Sequence, residues 1–188
     1  MENIRIFCEN DKKHYEFEIG TALQDMALAI CPDEPILAAL VDNQLKELSF
    51  CAIAPHVVKF IGYDHAEGRR TYIRSLCFVL QKAVRELYPE NILIIDYSLP
   101  SGMYCEIREV APLEDGRPNV YFLTDEEIVL IKEKMKAIIA ADQPFKKVKM
   151  NFEEAKKLFS AKHQADKVQL LHSLERFTYS VYFLDGKA

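Results

Sequence analysis

The chain has 188 residues, of which 49% are apolar and 28% are charged, and it holds only six glycines and eight prolines. This composition is typical of a folded protein with one domain or two small ones, and it excludes a disordered chain, a collagen-like repeat and a disulfide-stabilised miniprotein. The formal net charge of −5 gives no reason to expect non-specific binding to nucleic acid, although a local basic face is compatible with it.

The first sixty residues show the pattern of a small mixed α/β module. Alternation of apolar and polar residues predicts strands over 4–9 and 14–19, joined by a hairpin turn. Thr21 and Gln24 have the spacing of a capping box, which would open a helix that ends before Pro32. An apolar run then predicts a strand over 36–41, followed by a turn at Asp42-Asn43 and a last strand over 57–63. This order predicts a β-grasp, ubiquitin-like roll over residues 1–63, within an α+β fold class.

Residues 64–70 are polar, and we place the boundary of a second domain, 64–188, after residue 63. A long helix is expected from Thr71 to about Tyr88, where Pro89 stops it. At 100° per residue, one arc of this helix is apolar and should face a core. Its members are Ile73, Leu76, Leu80, Ala83, Val84 and Leu87.

The opposite arc of this helix is basic and carries one aromatic ring. Its members are Arg70, Arg74, Phe78, Lys82 and Arg85. Two interpretations are open from periodicity alone. The arc is either a solvated helix face, or the wall of a cleft in which arginine and lysine meet phosphates or RNA.

The remainder of the chain alternates short strands and helices. Strands are expected over 92–95 and 101–107, and Gly116 and Pro118 mark a loop or hairpin before residues 120–123. Capping boxes at Thr124 with Glu127 and at Asn151 with Glu154 predict two helices. A helix over 164–175 and a strand over 177–184 complete the pattern. Because a strand is the last element, we expect that a longer protein continues beyond Ala188.

No motif for catalysis is present in the sequence. It contains neither the G-x-x-x-x-G-K-[ST] phosphate loop nor a G-x-S-x-G nucleophile elbow. His163 and Asp166 could share a helical face, but we interpret them as a solvated pair rather than metal ligands. The acidic run from Asp125 to Glu127 is interpreted as helix capping rather than acid–base chemistry.

Compartment and redox state follow from simple features. The apolar runs fall short of the ~18 residues of a membrane span, and the first ten residues lack a signal-peptide pattern, so we expect a cytoplasmic protein. The cysteines are odd in number and widely spaced, without a C-x-x-C pair. We therefore expect reduced, mostly buried thiols at Cys8, Cys31, Cys51, Cys77 and Cys105.

Three stretches of the first half resemble the TGS domain, the ubiquitin-like module of threonyl-tRNA synthetases. They are GTALQDMALAI, ILAALVDNQLKELSF and VVKFIGYDHAEGRRTYIRSL. From Tyr72 onwards the chain resembles the editing-type second additional domain of threonyl- and alanyl-tRNA synthetases. The block LTDEEIVLIKEKMKAIIAADQPFKKVKMNFEEAKKLF is its most specific part. This resemblance implies a TGS domain followed by an editing-like α/β domain.

The chain departs from the editing-domain pattern at the positions that matter for hydrolysis. The resemblance implies an H-x-x-x-H motif on the first helix, where this chain has Arg74 and Phe78. Neither side chain can ligate a metal or act as a general base. The second half-motif, C-x-x-x-H, is expected beyond the last strand of this sequence. Lys167 matches a family lysine, but alone it supports no hydrolysis.

The RSL segment at 74–76 makes the chain resemble the N-terminal region of bacterial uridine kinase-type nucleoside kinases. In these proteins TGS and editing-like domains precede a P-loop kinase domain. The resemblance implies that ATP and Mg²⁺ serve a kinase domain in cis beyond Ala188, while this chain has no cofactor and no catalytic step of its own. We expect it to regulate that kinase by binding a nucleotide or RNA, with no DNA or membrane partner.

The predicted ligand site gathers the basic arc and two further residues. Arg74 adds a fixed positive charge to the cleft, and Phe78 would be a stacking platform. Tyr104 and Lys167 could line the same cleft, or be a core aromatic and a solvated lysine. Two alternatives stay open, an editing-type hydrolase or RNA-binding module related to threonyl-tRNA synthetase, and a protein-interaction scaffold. The predicted ligand-binding residues are Arg70, Arg74, Phe78, Lys82, Arg85, Tyr104 and Lys167.

Overall fold

The computed structural model describes residues 2–100, 102–111, 113–114, 116–162, 164–174 and 176–184. The chain forms two compact units, Met1–Phe78 and Val79–Ala188, and the division between them falls inside one long helix. The domain boundary expected after residue 63 stays a prediction. None of the helices in the described part of the chain has both the length and the apolar composition needed to cross a lipid bilayer.

The first unit contains a five-stranded mixed sheet and one complete helix. Strand order across the sheet is β2-β1-β5-β3-β4, in which β1 and β5 are parallel and the other neighbours are antiparallel. The element bounds are β1 Asn3–Cys8, β2 Lys13–Glu18, α1 Leu23–Ile30, β3 Ala38–Val41, β4 Gln44–Lys46, β5 His56–Ile61, and the start of α2 Ala66–Leu87.

The core of the first unit lies between the sheet and α1. Strand β1 alternates as predicted, with Ile4, Ile6 and Cys8 buried and the residues between them more exposed. Leu23 and Met26 of α1 are fully buried and belong to the same apolar cluster. Burial of side chains of this size contributes about 1.5–3 kcal/mol each, which explains why the short helix is retained.

A two-residue turn sets the register between β3 and β4. Asp42 and Asn43 have φ values of 49° and 62°, and the strands on either side pair from Val41 to Gln44. Positive φ at both central residues is the hairpin geometry that matches strand twist, and Asp and Asn tolerate it better than most residues. The predicted turn at Asp42-Asn43 is therefore confirmed as the β3–β4 hairpin.

The predicted capping box at Thr21 is wrong. Helix α1 begins at Leu23 with Ala22 as its N-cap, and no side chain caps it. The hydroxyl of Thr21 instead donates to the carbonyl of Glu18. The backbone N–H groups of Leu23 and Gln24 donate to carbonyls from the segment after β4, which satisfies the helix start without a side chain.

The second unit contains two separate antiparallel sheets and three complete helices in its described residues. One sheet has the order β6-β7-β8, and the other is the pair β10-β9. The element bounds are β6 Asn91–Leu99, β7 Gly102–Glu109, β8 Val120–Tyr121, α3 Asp125–Ala140, β9 Phe145–Met150, α4 Phe152–Ala161, α5 Ala165–Ser173 and β10 Tyr179–Leu184.

Both capping boxes predicted in this unit are confirmed. Thr124 accepts from the N–H of Glu127, whose carboxylate accepts from the N–H of Thr124. Asn151 and Glu154 make the same reciprocal pair at the start of α4. Each box satisfies two N–H groups that the first helical turn leaves open, which fixes where α3 and α4 begin.

Two small cores hold the second unit together. Val84 of α2, Ile107 of β7 and Ile131 of α3 form one apolar cluster. The other cluster places α4 and α5 against the inner face of the β9–β10 sheet, with Ala155 and Val181 at its centre. Each of the two sheets thus has its own apolar layer of helices.

Burial along α2 differs from the single apolar arc that periodicity predicts. Ala83 and Val84 are buried, but Ile73 is 38% exposed, and Lys82 of the basic arc is only 8% exposed. The prediction assumed one core along the full helix, whereas the helix divides between two units. The long lysine stem of Lys82 is apolar and can be buried because its amine has a partner.

The cysteines are less buried than the sequence led us to expect. All five are free thiols, but only Cys8 is buried, Cys31 and Cys77 are half-buried, and Cys51 and Cys105 are exposed. Burial is the largest influence that raises the pKa of the Cys8, Cys31 and Cys77 thiols, so these three are poor nucleophiles at neutral pH.

Candidate functional site

Three of the predicted ligand residues lie on the part of α2 that belongs to the first unit. Arg70 is exposed and forms an ion pair with Glu67 one turn earlier. Arg74 is exposed, and no described residue forms a hydrogen bond or ion pair with its side chain. Phe78 is half-buried. Of these three residues, Arg74 has its charge directly open to solvent and to any anionic ligand.

Two of the predicted residues form polar contacts inside the second unit. Lys82 donates from Nζ to the amide oxygen of Gln143 at 3.0 Å. Arg85 donates to the amide oxygen of Gln164 from Nη1 at 2.7 Å and Nη2 at 3.3 Å, with that oxygen turned towards the guanidinium. Gln164 is itself 6% exposed. Lys82 and Arg85, which form the second half of the basic arc, are thus already engaged in partly buried polar contacts.

Tyr104 lies on an aromatic surface of the β6–β7 hairpin rather than in a core. Its ring stacks on Tyr97 with centroids 4.9 Å apart and an angle of 10° between the planes. Tyr104 is 37% exposed and Tyr97 is 52% exposed. Stacked, exposed rings offer a flat apolar surface with polar edges, as base-stacking platforms do.

A carboxylate links this surface to a basic residue. The hydroxyl of Tyr104 donates to Glu106 at 2.9 Å, and Arg108 contacts the other oxygen of the same carboxylate at 2.6 Å. The contact with Arg108, followed by the one with Tyr104, lowers the pKa of Glu106. The hydrogen bond to that carboxylate raises the pKa of Tyr104. Tyr104 therefore stays a neutral phenol at physiological pH.

Sequence reasoning missed the partners of Tyr104. Tyr97 and Glu106 lie on neighbouring antiparallel strands, and Arg108 follows two residues later on the same face as Glu106. The alternation of Tyr104, Glu106 and Arg108 along one strand could have indicated this shared face. Tyr97 could not be paired with them, because the register shifts between Ile95 and Ser98.

The remaining predicted ligand residue, Lys167, lies near the start of α5. Lys167 is half-buried, and its backbone N–H donates to the carbonyl of Gln164. Gln164 is also the partner of Arg85, so the chain at 164–167 connects two of the predicted residues in the second unit. His163, the first member of the proposed surface pair, lies outside the described residues, as does the side chain of Asp166.

Glu127, the third residue of the acidic run at the start of α3, has a structural role. Glu127 accepts from the hydroxyls of Tyr121 at 2.6 Å and Tyr88 at 3.3 Å, besides capping the helix. The backbone hydrogen bond with Thr124, and then that with Tyr121, lower the pKa of Glu127. This carboxylate is fully engaged and ionised, as the capping interpretation predicted.

Chemistry that needs a metal has few candidate ligands in this fold. Among the residues that the structure describes, no three His, Cys, Asp or Glu side chains cluster closely enough to hold an ion. Three of the seven predicted ligand residues lie in the first unit and four in the second, and their binding of a ligand stays a prediction.

Comparison with known proteins gives a consistent picture along the chain. No protein-family model matches it. A threonine–tRNA ligase of Desulforamulus reducens is 26% identical over 161 residues, or 85% of this chain and 24% of that protein. One of Clostridium kluyveri is 26% identical over 185 residues, or 97% of this chain and 27% of that protein. One of Rhodopseudomonas palustris is 27% identical over 175 residues, or 92% of this chain and 25% of that protein.

These relatives support one of the two sequence-based interpretations. The chain spans about a quarter of the length of the curated relatives it matches. None of the relatives named above is a kinase, so the expectation of a nucleoside-kinase region gains no support from them. Along 85–97% of its length, this chain is similar to part of a threonine–tRNA ligase.

Proposed function

We propose that this chain is an RNA-binding module of the threonyl-tRNA synthetase type that does not itself hydrolyse aminoacyl-tRNA. The observation that carries the proposal is the similarity to threonine–tRNA ligases over nearly the whole chain. A region related to such enzymes along both of its units has tRNA as its first candidate ligand. The exposed guanidinium of Arg74 gives that ligand a charged contact.

The topology of the first unit supports assigning it to a β-grasp of the TGS kind. Its strands follow the order β2-β1-β5-β3-β4, with a parallel central pair and α1 packed against the sheet. A roll of this kind exposes one face of its sheet, which suits an accessory domain that binds an extended partner. We place the second, editing-like region after it, as the sequence order indicates.

The loss of hydrolytic chemistry follows from two side chains. The editing-domain resemblance implies histidines at positions 74 and 78, where the chain has Arg74 and Phe78. A guanidinium stays protonated throughout the physiological pH range, and a phenyl ring has no lone pair. Neither group can take a proton from water, so binding without cleavage is the chemistry that these positions support.

The binding half of the proposal is tested with fluorescence anisotropy on a labelled threonine tRNA. We expect the whole chain to bind it, and Arg74→Ala to lose about 1.5–3 kcal/mol, as for a hydrogen bond to a charged group. Arg5→Ala, which removes an exposed arginine on β1, is the matched control and should bind as the unmodified chain does. An equal loss in both variants would remove Arg74 from the site.

The catalytic half is tested by incubating the chain with mischarged tRNA, with and without added Zn²⁺. We expect deacylation at the spontaneous rate under both conditions. Hydrolysis above that rate would overturn the non-hydrolytic part and favour an active editing enzyme. A stable protein complex together with an absence of tRNA binding would instead favour an interaction scaffold.

A nucleoside-kinase accessory region is the second candidate. The observation that favours it is the RSL segment, in which Arg74 replaces a histidine of the editing pattern. The two candidates predict different sequences downstream of residue 188. A phosphate loop within about a hundred residues downstream would favour the kinase, and synthetase sequence in that place would favour the RNA-binding module.

A further inference from the structure

The two-stranded sheet of the second unit has one face that no described helix of its own cluster covers. Helices α4 and α5 pack against the inner face, through Val181 and Tyr179. On the outer face, Lys147 is paired with Tyr182 and Lys149 with Ser180. All four of these outer residues are exposed.

The charge of this sheet is opposite to that of the whole chain. Strand β9 contains three lysines, and neither β9 nor β10 contains an acidic residue. Over residues 145–162 there are six lysines and two glutamates, whereas the complete chain has a net charge of −5. A local positive field of this kind attracts a polyanion even though the protein is acidic.

The spacing of the lysines and the position of Tyr182 suit a nucleic-acid strand. Lys147 and Lys149 are two residues apart on one face, or about 7 Å along the strand. This is similar to the separation of successive phosphates along a nucleic-acid strand. The ring of Tyr182 is 37% exposed and lies 5.4 Å from the Nζ of Lys147, measured to the ring centroid. A base can stack on an exposed ring beside such a cation.

We propose that the outer face of the β9–β10 sheet binds RNA, with Lys147 and Lys149 contacting successive phosphates and Tyr182 stacking on an unpaired base. The inference rests on the proposed RNA-binding function, and it names a contact surface that the sequence-based site did not include. RNA is favoured over other polyanions because an exposed aromatic ring lies beside Lys147 on the same face.

The test measures binding of a labelled threonine tRNA and a labelled single-stranded oligonucleotide to the whole chain at several salt concentrations. For Lys147→Gln combined with Lys149→Gln, we expect weaker binding, and a slope of log K against log salt reduced by about 0.7–0.9 per lysine. For Tyr182→Leu we expect a loss of roughly 5- to 150-fold without a change in slope. All three positions are exposed, and thermal melting checks that each variant is folded.

The matched control is Lys132→Gln combined with Lys136→Gln, two exposed lysines on α3 that change the net charge equally. We expect this control to bind as the unmodified chain does. An equal loss in both double variants, or none in either, would overturn the proposed face while RNA binding itself stands. The proposed face would also be overturned if heparin bound with the same affinity as RNA and Tyr182→Leu left both affinities unchanged. An unmodified chain that binds no RNA would overturn the proposed function.

Discussion

Asn10 extends the pairing of β1 with β5 by means of its side chain. Its amide nitrogen donates to the carbonyl of Phe60, and its amide oxygen accepts from the N–H of Phe60, both at 2.9 Å. Strand β1 ends at Cys8, and the last backbone bond of this edge runs from Glu9 to Val58. The asparagine thus supplies the donor and acceptor that another strand residue would have supplied.

Replacing Asn10 by alanine should destabilise the first unit. Phe60 is only 2% exposed, so its N–H and carbonyl would lose their partners in a poorly hydrated place. We expect a loss of about 1–3 kcal/mol in the free energy of unfolding, measured by urea denaturation with circular dichroism. Asn119→Ala, which removes an exposed side-chain contact with Glu109, is the control and should change stability far less. Equal midpoints for the two variants would contradict this account of Asn10.

Gly68 is required by the close approach of the first turn of α2 to the end of β5. A Cβ atom at residue 68 would lie 1.9 Å from the carbonyl oxygen of Gly62, which is backbone and cannot rotate away. Alanine has a helix propensity better by about 1 kcal/mol, but overpacking of this kind costs typically 1–3 kcal/mol or more. The steric effect should therefore decide the outcome.

We accordingly expect Gly68→Ala to lower the melting temperature of the first unit, despite the gain in helix propensity. The control is Gly102→Ala, because a Cβ at residue 102 meets no described atom within 4 Å and the φ there is not positive. That variant should melt close to the unmodified chain. A Gly68→Ala protein that melts at the same or a higher temperature would show that the two backbones can move apart at little cost.

At the scale of elements, the β3–β4 hairpin is tied to β5 by one carboxylate. Asp42 accepts from the N–H of Val57 at 3.0 Å and contacts the Nδ1 of His56 at 2.6 Å. The bond from Val57, and then that from His56, lower the pKa of Asp42 below its usual value. The charged carboxylate is thus favoured in the folded state, which makes this tie dependent on pH.

The direction of that dependence follows from the lowered pKa. The stabilisation is complete above the pKa of Asp42 in the unfolded chain, near 4, and is lost as the pH falls through the lower folded value. Asp42 is half-exposed, so we expect a difference of about 1 kcal/mol or less against Asp42→Asn at pH 7. Asparagine tolerates the positive φ of this turn. Urea midpoints at pH 7 and pH 3 should converge at the lower pH, and a constant gap would contradict the assignment.

The first residues of the helices show where the sequence alone was sufficient to predict the structure and where it was not. The boxes at Thr124 and Asn151 were predictable because donor and acceptor lie within three residues of each other. The start of α1 was not predictable, because its N–H groups bond to the carbonyls of Leu48 and Phe50, more than twenty residues away. Local signals fail wherever the fold supplies a distant partner in their place.

For the whole molecule, most of the order of elements was predictable, but strands β4 and β9 were not predicted, and neither was the division of the helices and sheets among separate cores. Alternation predicted β1 and β2, and the apolar run before the turn at Asp42-Asn43 predicted β3, but the three residues of β4 gave no comparable signal. The burial pattern along α2 depends on long-range contacts. For example, the amine of Lys82 donates to the side chain of Gln143, which lies 61 residues later in the chain. The predicted site therefore mixed residues of the first unit with others already engaged inside the second.

Net charge conceals the distribution that matters for binding. The total of −5 gave no reason to expect binding to nucleic acid, yet the lysines of β9 and α4 lie in one short stretch of the second unit. Attraction to a polyanion depends on the local field within about a Debye length, roughly 10 Å at 0.1 M salt, rather than on the sum over the chain. A fold can thus place a basic surface on an acidic protein.

The parallel pairing of β1 with β5 constrains how the first unit can form during synthesis. Strand β1 leaves the ribosome first, but one of its two sheet neighbours is the last strand of the unit to be made. Until His56–Ile61 has emerged, the nascent chain carries the β1–β2 hairpin with an open edge, which is a template for intermolecular pairing. Protection of that edge by a chaperone, or rapid translation through residue 61, would limit aggregation of the nascent chain.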